Sequence, residues 1–219
     1  LKKINTTKTK VIVNHRRRFD DDIIKLRSLL EKGIIGDILQ ISGFYVYGIL
    51  TTGTHLIDTI RMLIIGIAGE IDEVTGFKNN NLNFKSKDDI NLDAFLKFKN
   101  GLNCTIQSLD MKSYDNFDIY IYGKKGKILI SGIGRDILFY KIINSPEHTG
   151  FKELSNIPRK LDSSKPRAQF KKLGENAVNC LLKKSNPLCD ATESYKDMLI
   201  IDYIIKSAKN CSKKYKIKF

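Results

Sequence analysis

The 219-residue sequence has no tryptophan, only three histidines and four cysteines, and no long run of apolar residues. Its longest apolar stretch, around residues 62–67, is too short to cross a bilayer, and the first ten residues lack the apolar core of a signal peptide. The cysteines form no CxxC pair and have no histidine at metal-ligand spacing, so we predict neither a zinc site nor a disulfide framework. Reduced thiols in a cytoplasmic protein are expected for Cys104, Cys180, Cys189 and Cys211.

Acidic residues are scarce relative to basic ones, with 24 Asp and Glu against 38 Lys and Arg, and the net charge is +14. Such a surplus can indicate a nucleic acid or an anionic membrane as partner. The lysines, however, are dispersed along the chain, and only residues 15–18, with the sequence His-Arg-Arg-Arg, are densely basic. Dispersed charge is typical of a solvated surface, so we expect no membrane partner and do not favour a nucleic acid.

The first third of the chain carries both helix and strand signals. Residues 11–13 are interpreted as a short buried strand. A helix is predicted to begin at Phe19, because three aspartates follow in its first turn, and to end at Gly33. Residues 37–47 predict a strand with apolar groups on both faces, and an almost wholly apolar core helix is predicted over residues 54–65.

From residue 70 onwards the hydrophobic period changes from helical to two, which predicts consecutive strands. Asn100-Gly101 is a strong hairpin signal between two of them. A polar loop at 79–89 and a long irregular loop at 145–165 interrupt the pattern. The predicted strands cover 70–78, 90–99, 103–112, 116–122, 127–130 and 136–142, the last two helices cover 167–183 and 190–209, and 215–219 is a candidate edge strand.

These elements predict one α/β domain of the α+β type, with an open, largely antiparallel mixed sheet and its helices on one face. The other face would need a partner, because exposed sheet faces rich in aromatic residues often mark an interface; a covering loop is the alternative. Tyr45, Tyr47, Tyr120 and Tyr122 are the expected contributors to that face. We therefore predict a homo-oligomer formed through it.

Chemistry is expected in residues 48–66, where His55 lies in the first turn of the core helix. The helix dipole disfavours protonation there, so the imidazole tends to stay neutral and can take a proton from an alcohol. Asp58 follows three residues later, within reach to orient the ring. The alternative is structural: His55 caps its own helix, and Asp58 pairs with Arg61 one turn further on. Spacing alone favours the structural alternative.

Two neighbouring stretches are candidates for substrate contacts. Thr51, Thr52 and Thr54 supply hydroxyls for a polyol, or else serve as helix caps. Residues 14–18 contain three arginines, Arg17 in the middle, whose forked guanidinium groups could bind phosphate or carboxylate. A charged loop surface is an equally good interpretation of the arginines, because three in succession cannot all face one ligand.

Nucleotide-binding signals are weak. Residues 123–127, with the sequence Gly-Lys-Lys-Gly-Lys, lack a following Ser or Thr and lead into a strand, so they are interpreted as a hairpin turn. No GxGxxG follows a predicted strand, so the chain is expected to contain no dinucleotide-binding half of its own.

Four blocks of the chain, taken in order, resemble the C-terminal domain of the Gfo/Idh/MocA oxidoreductases, the family of glucose-fructose oxidoreductase and inositol dehydrogenase. They are VNHRRRFDDDIIKLRSLLEKGIIGDIL, GTHLIDTIRML, YGKKGKI and NPLCDATESYKDMLIIDYIIKSAKN. Each block is loose alone, but their order and spacing together are specific. The resemblance implies a domain like the C-terminal domain of glyceraldehyde-3-phosphate dehydrogenase, with an open sheet face that usually forms the oligomer.

The resemblance also implies that part of the active site lies elsewhere. Members of the family bind NAD(P) on an N-terminal Rossmann domain, and their catalytic lysine lies there in a Glu-Lys-Pro motif that this chain lacks. We therefore expect residues 1–14 to be the residual connection from a missing Rossmann domain. Residues 15–219 would be the substrate-binding and oligomerisation domain, inactive by itself.

The family's second motif places an acidic residue four positions before a histidine. His55 matches the histidine, and Asp58 matches the aspartate that commonly follows it in H-x-x-D, a mainly structural residue. The acidic position falls on Thr51 and does not match, which weakens a proton relay without excluding catalysis. The resemblance makes His55 the expected acid/base residue.

Three functions are therefore open. The first is hydride transfer between NAD or NADP and a hydroxyl of a sugar, polyol or nucleotide sugar, with the cofactor bound mainly by the missing domain. The second is a non-catalytic sugar-binding or oligomerisation module. The third, and least favoured, is a basic nucleic-acid binder.

Overall fold

The computed structural model describes residues 4, 6–7, 9–79, 89–110, 112–163 and 168–219. Within these ranges ten strands form one sheet, accompanied by four α-helices. The strands are β1 Ile38–Tyr45, β2 Ile71–Lys78, β3 Leu92–Phe98, β4 Asn103–Ser108, β5 Phe117–Gly123, β6 Gly126–Ser131, β7 Asp136–Asn144, β8 Lys152–Leu154, β9 Arg159–Lys160 and β10 Tyr215–Lys216. The helices are α1 Asp21–Glu31, α2 Thr54–Ala68, α3 Gln169–Leu181 and α4 Ala191–Lys209.

The sheet is open and largely antiparallel, as predicted. Its strand order is β10-β2-β3-β4-β1-β5-β6-β7-β8, and β9 also pairs with β7. Strand β1 is the exception within the described ranges, because it pairs parallel with β4 and antiparallel with β5. Helix α2, inserted between β1 and β2, lies against β1 and forms the centre of the core.

Helix α1 begins later than predicted. Phe19 closes a 3₁₀ turn, Arg16–Phe19, and Asp20 is the N-cap, whose carboxylate accepts hydrogen bonds from the backbone N–H groups of Asp22 and Ile23. An aspartate in extended backbone is a favourable N-cap, so the cap and not the apolar pattern determines where the helix begins. Gly33 follows the helix end with φ +75°, as its predicted stop role requires.

Helix α2 is buried on nearly every side. Leu56, Ile57 and Ile60 are almost completely inaccessible to solvent. The helix approaches β1 closely at Gly43, where a Cβ atom would come within 3.0 Å of the Leu56 side chain. A π-type turn, Ile49–Gly53, runs directly into the helix. This turn and the close packing fix the position of His55 at the helix start.

Two predictions about irregular segments are wrong. Residues 11–13 are not a strand: Val13 donates one backbone hydrogen bond to the carbonyl of Cys189, and a single bond makes no ladder. The 145–165 segment is not wholly irregular, because β8 and β9 add to the edge of β7. The middle of the predicted 79–89 loop, residues 80–88, and the predicted helix start at residue 167 lie outside the described residues.

The prediction for the open sheet face is right for two tyrosines and wrong for one. Tyr120 and Tyr122 stack at 6.5 Å between ring centroids on the face away from α2. Tyr45 instead points into the core, where its hydroxyl donates to the carbonyl of Leu92 at 2.7 Å. Alternation along β1 places Tyr45 on the same side as Ile41, under the helices. Tyr47 lies beyond the strand end, with φ +64°.

Helices α3 and α4 differ in how they are held. Asp190 caps α4 by accepting from the N–H groups of Thr192 and Glu193, and α4 packs on β2. Helix α3 buries little of its apolar side, because the side chains of Phe170 and Leu181 are 65% and 79% exposed. Among the described residues, no helix combines the length and hydropathy that a membrane crossing needs.

Replacement of Gly76 by alanine is expected to destabilise the fold by about 1–3 kcal/mol, because a Cβ there would overlap the carbonyl oxygen of Ile204 in α4. Gly174→Ala is the matched control, since that glycine lies in α3 with open space around it. There alanine is expected to raise helix stability by about 0.5–1 kcal/mol. Urea unfolding measures both changes, and equal effects would contradict the close packing of α4 on β2.

Candidate active site

His55 lies in the first turn of α2, with its ring against a second histidine that the sequence did not single out. The His55 and His15 ring centroids are 5.1 Å apart and the planes meet at 69°, an edge-to-face contact. His15 is buried just before the 3₁₀ turn, whereas His55 remains partly exposed. Partial exposure leaves the His55 ring open to a small molecule.

Burial lowers the pKa of His55 to about 4, and the nearby charges of His15, Arg17 and Arg16 act in the same direction. The pKa of His15 is lowered as well, again mainly by burial. With a pKa of about 4, the His55 ring is uncharged at pH 7. The predicted neutral imidazole is therefore present, but desolvation rather than the helix dipole is its main cause.

The three candidate threonines all use their hydroxyl protons within the protein. Thr51 Oγ1 donates to Asp89 Oδ2 at 2.6 Å, Thr54 Oγ1 donates to the carbonyl of Thr51 at 2.7 Å, and Thr52 Oγ1 donates to the carbonyl of Val46. These bonds brace the π-type turn ahead of α2. The hydroxyl oxygens can still accept hydrogen bonds, so the threonines would meet a ligand as acceptors.

Asp89 reinforces the same turn and was missed in the sequence. Its Oδ1 accepts from the backbone N–H of Leu50 at 2.7 Å, while Oδ2 takes the Thr51 hydroxyl. The turn thus receives its carboxylate from a distant segment rather than from the position four residues before His55. No spacing rule could find Asp89, because it lies at the end of a predicted polar loop.

Asp58 pairs with neither His55 nor Arg61, the two partners considered from the sequence. Arg18 Nε donates to Asp58 Oδ1 at 2.7 Å, and His15 Nδ1 lies 3.7 Å from Asp58 Oδ2. Arg61 turns away from Asp58 to other carboxylates. Asp58 therefore connects α2 to the segment that carries His15 and Arg18.

Arg61 is the centre of a buried ion network. Its Nη1 donates to Asp197 Oδ1 at 2.6 Å, and its Nε and Nη2 donate to the Glu70 carboxylate at 3.0–3.1 Å. Glu193 lies 3.4 Å from Arg61 Nη2, and Lys196 pairs with both glutamates. Burial first, then the charge of Asp58, raises the pKa of the Asp197 carboxyl above its usual range. The network ties α2 to α4 beneath the histidines.

The three successive arginines separate, as steric reasoning required. Arg18 joins the Asp58 carboxylate, while Arg17 lies with Cζ 3.3 Å from the centroid of Phe117 and donates to the carbonyl of Ile133. Arg16 faces a cleft of about 450 Å³ that Arg17 also borders. The other lining residues are Asp115, Ile133, Gly134, Arg135, Gln169 and Phe170.

The geometry thus brings some candidates together and leaves others apart. His55 and Asp58 share a helix and both lie beside His15, and the threonines form the turn immediately before them. Arg17 is almost fully buried between Phe117 and the 133–134 turn, so its guanidinium reaches a ligand only at the cleft edge. His15, Asp89 and Asp197 complete the surroundings, and they come from segments remote in sequence.

Comparisons with known proteins bear on the family and the fold. The sequence model of the GFO/IDH/MocA C-terminal domain matches residues 47–129, which run from the segment after β1 into β6. No curated protein matches the sequence.

Solved structures share the fold over nearly the whole chain. The WlbA dehydrogenase from Bordetella pertussis, solved with NADH and UDP-GlcNAcA, is 15% identical with a TM-score of 0.70 over 96% of this chain and 64% of its own. Levoglucosan dehydrogenase with NADH is 14% identical with a TM-score of 0.71, covering 98% and 68%. Aldose-aldose oxidoreductase from Caulobacter crescentus with glycerol is 17% identical with a TM-score of 0.70, covering 95% and 64%.

At such identities the structural likeness establishes the fold, and the chain spans 64–68% of the length of these three proteins. The family match adds the sequence signal that the likeness alone lacks. Together they agree with the resemblance found in the sequence: the fold is that of these oxidoreductase structures, and residues 47–129 match the model of the GFO/IDH/MocA C-terminal domain.

Proposed function

We propose that this chain is the substrate domain of an NAD(P)-dependent oxidoreductase that acts on a hydroxyl of a sugar, polyol or nucleotide sugar. The observation that carries the proposal is His55: a neutral, partly exposed imidazole at the start of a rigid core helix, in a matched family domain. The similar proteins solved with NADH, UDP-GlcNAcA or glycerol support the substrate class.

In this proposal His55 moves the proton of the reacting hydroxyl. In the oxidative direction the neutral ring accepts the hydroxyl proton while the carbon–oxygen single bond becomes a carbonyl, and in reduction the imidazolium returns the proton. NAD(P)⁺, when bound, supplies the acceptor for the hydride that leaves the same carbon. The buried Asp58 fixes the position of the helix start through Arg18 and has a structural role.

The substrate lies, in the same proposal, against the turn before α2. Thr51, Thr52 and Thr54 offer hydroxyl oxygens that accept hydrogen bonds from substrate hydroxyls, and Arg17 borders the site from the cleft. The cofactor is held mainly by a nucleotide-binding domain outside these residues, with residues 1–14 as the connection and 15–219 as the substrate domain. A cytoplasmic location fits the four free thiols.

The test is an assay of the protein together with its nucleotide-binding domain. Sugars, polyols and nucleotide sugars are offered with NAD⁺ and with NADP⁺, and the absorbance of reduced nicotinamide is followed. Turnover with a hydroxyl substrate is expected. Saturable sugar binding without turnover would instead identify a non-catalytic module, and salt-sensitive binding of nucleic acid would overturn both.

The open sheet face supports a second part of the proposal, a homo-oligomer. Lys127 Nζ lies 4.0 Å from the ring centroid of Tyr140 and 5.9 Å from those of Tyr120 and Tyr122. Phe44 meets Tyr120 edge to face at 5.9 Å. A continuous aromatic surface on strands is the composition found at protein interfaces, so a second copy of this chain would cover it.

Tyr122→Glu is expected to convert the oligomer to monomers, because a charge would be buried without a partner at the centre of the interface. Tyr114→Glu is the matched control, since Tyr114 is exposed in a loop outside the strands. Light scattering coupled to size-exclusion chromatography gives the mass of each. A wild-type protein that is already monomeric at high concentration would contradict the oligomer.

A further inference from the structure

A buried cluster next to the candidate active site contains three potential metal ligands. His15 Nδ1, Asp58 Oδ2 and Cys189 Sγ all lie within 4.8 Å of one another. They come from three separate parts of the fold: the segment before the 3₁₀ turn, helix α2 and the segment before α4. All three residues are buried, with exposed fractions of 6%, 1% and 0%.

Two of these three atoms have no hydrogen-bond partner. His15 Nδ1 and Asp58 Oδ2 are buried without one, and at 3.7 Å they are too far apart to bond each other. Leaving a buried polar atom unsatisfied costs about 1–3 kcal/mol. A cation between them would give both atoms a partner at once.

The rest of the Asp58 carboxylate is already fixed. Arg18 Nε donates to Oδ1 at 2.7 Å, which orients Oδ2 toward His15. The Cys189 sulfur lies 3.3 Å from the Ser194 hydroxyl, a contact in which either atom can donate. The Arg18 contact therefore holds the Asp58 carboxylate in place and leaves its Oδ2 available to a cation.

The second nitrogen of His15 faces a carboxylate. His15 Nε2 lies 3.8 Å from Asp197 Oδ2, which also lacks a hydrogen-bond partner. Metal-bound histidines characteristically present their other ring nitrogen to a carboxylate, which orients the ring. Asp197 is itself anchored by Arg61 at 2.6 Å.

The side chains around the cluster carry more negative than positive charges, which favours binding of a cation. The connected ion pairs join four carboxylates, those of Asp58, Glu70, Glu193 and Asp197, to three cationic side chains, those of Arg18, Arg61 and Lys196. A proton on one carboxylate could balance the surplus, but it would leave His15 Nδ1 unpaired. A divalent cation together with Cys189 as a thiolate balances the charge, and the cation satisfies the nitrogen as well.

We propose that His15, Asp58 and Cys189 bind a zinc ion that joins the N-terminal segment, α2 and the start of α4. A set of imidazole nitrogen, thiolate sulfur and carboxylate oxygen is typical of zinc sites. Binding releases the Cys189 thiol proton, and the fourth position is filled by water. None of the proposed zinc ligands is assigned to substrate, although His15 lies against His55.

The test uses the purified protein with zinc or cobalt as the probe. After chelator treatment and reloading, about one zinc ion per chain is expected by elemental analysis. Cobalt should give a thiolate-to-metal charge-transfer band and the intense visible bands of a tetrahedral site. Cys189→Ser should abolish the charge-transfer band, and Asp197→Asn should weaken zinc binding by about 10–100-fold through its effect on His15.

Cys211→Ser is the matched control, because that cysteine is exposed and far from the cluster in sequence. It should keep the stoichiometry and the cobalt spectrum of the wild type. Should Cys189→Ser fail to fold, the wild-type cobalt spectrum alone decides. A wild-type protein that binds no zinc after reloading, or whose cobalt complex lacks a thiolate band, overturns the proposal and leaves a shared proton as the balancing charge.

Discussion

Replacement of His55 by alanine is expected to lower kcat by about 10²–10⁴-fold in the protein assembled with its nucleotide-binding domain, because proton transfer by a positioned side chain contributes that much. The KM for the hydroxyl substrate should change little, since the threonines and not His55 hold the substrate in the proposed site. Thermal unfolding should be close to that of the wild type, because the His55 ring is only partly buried. Steady-state kinetics with reduced-nicotinamide absorbance give both constants.

A role in proton transfer can be separated from a structural one by chemical rescue. Imidazole added to the His55→Ala protein should restore part of the lost kcat in proportion to its concentration, because it can occupy the vacated space and carry the proton. His148→Ala is the matched control, since His148 is exposed in the loop after β7. Turnover that survives His55→Ala unchanged would remove His55 from the mechanism, whereas lost turnover without rescue would favour a packing role.

Arg61→Met is expected to reduce the free energy of unfolding by about 3–5 kcal/mol, because removal of one partner leaves buried charges uncompensated. Arg61 is only 1% exposed, and the substitution would strand Asp197 and Glu70. Arg61→Lys should fall between wild type and methionine, since an ammonium keeps the charge but cannot form the forked pair with Glu70. Urea denaturation measures these differences.

The control for Arg61 is an ion pair of the same type at the surface. Arg27 pairs with Glu31 at 2.9 Å across one turn of α1, and both side chains are exposed. Arg27→Met should change stability by less than about 1 kcal/mol, because water and salt screen such pairs. If Arg61→Met and Arg27→Met lowered the free energy of unfolding equally, burial of the Arg61 network would add nothing to stability.

Most of the regular structure could be predicted from local patterns. The hydrophobic period of two located the strands from β2 to β7, and the apolar run after Thr54 located α2. Both patterns depend only on residues close together in the sequence. The errors occurred where pairing depends on remote partners. Strands β8 and β9 exist because β7 offers a free edge, and residues 11–13 fail to form a strand because they gain only one bond to Cys189.

The sequence predicted only some residues of the candidate site. His55 and Asp58 stand in a recognisable motif, and the mismatch at Thr51 was apparent. The carboxylate that braces the turn, Asp89, is contributed by another segment, and no spacing rule connects it to Thr51. Tyr45 was expected on the open face because aromatic residues often mark such a face. Both faces of β1 carry apolar groups, so only the packing of α2 decides which of them is inside.

The sequence by itself determined the helix and strand periods and the stop after α1 at Gly33, since these depend on residues adjacent in the chain, and it also carried the resemblance to the family. The tertiary structure alone decided that His15 lies against His55, that Arg18 rather than Arg61 holds Asp58, and that Cys189 joins them. The first two contacts join residues 40 positions apart, and Cys189 lies more than a hundred residues from its partners, so only folding of the whole sheet and its helices brings them within a few ångströms.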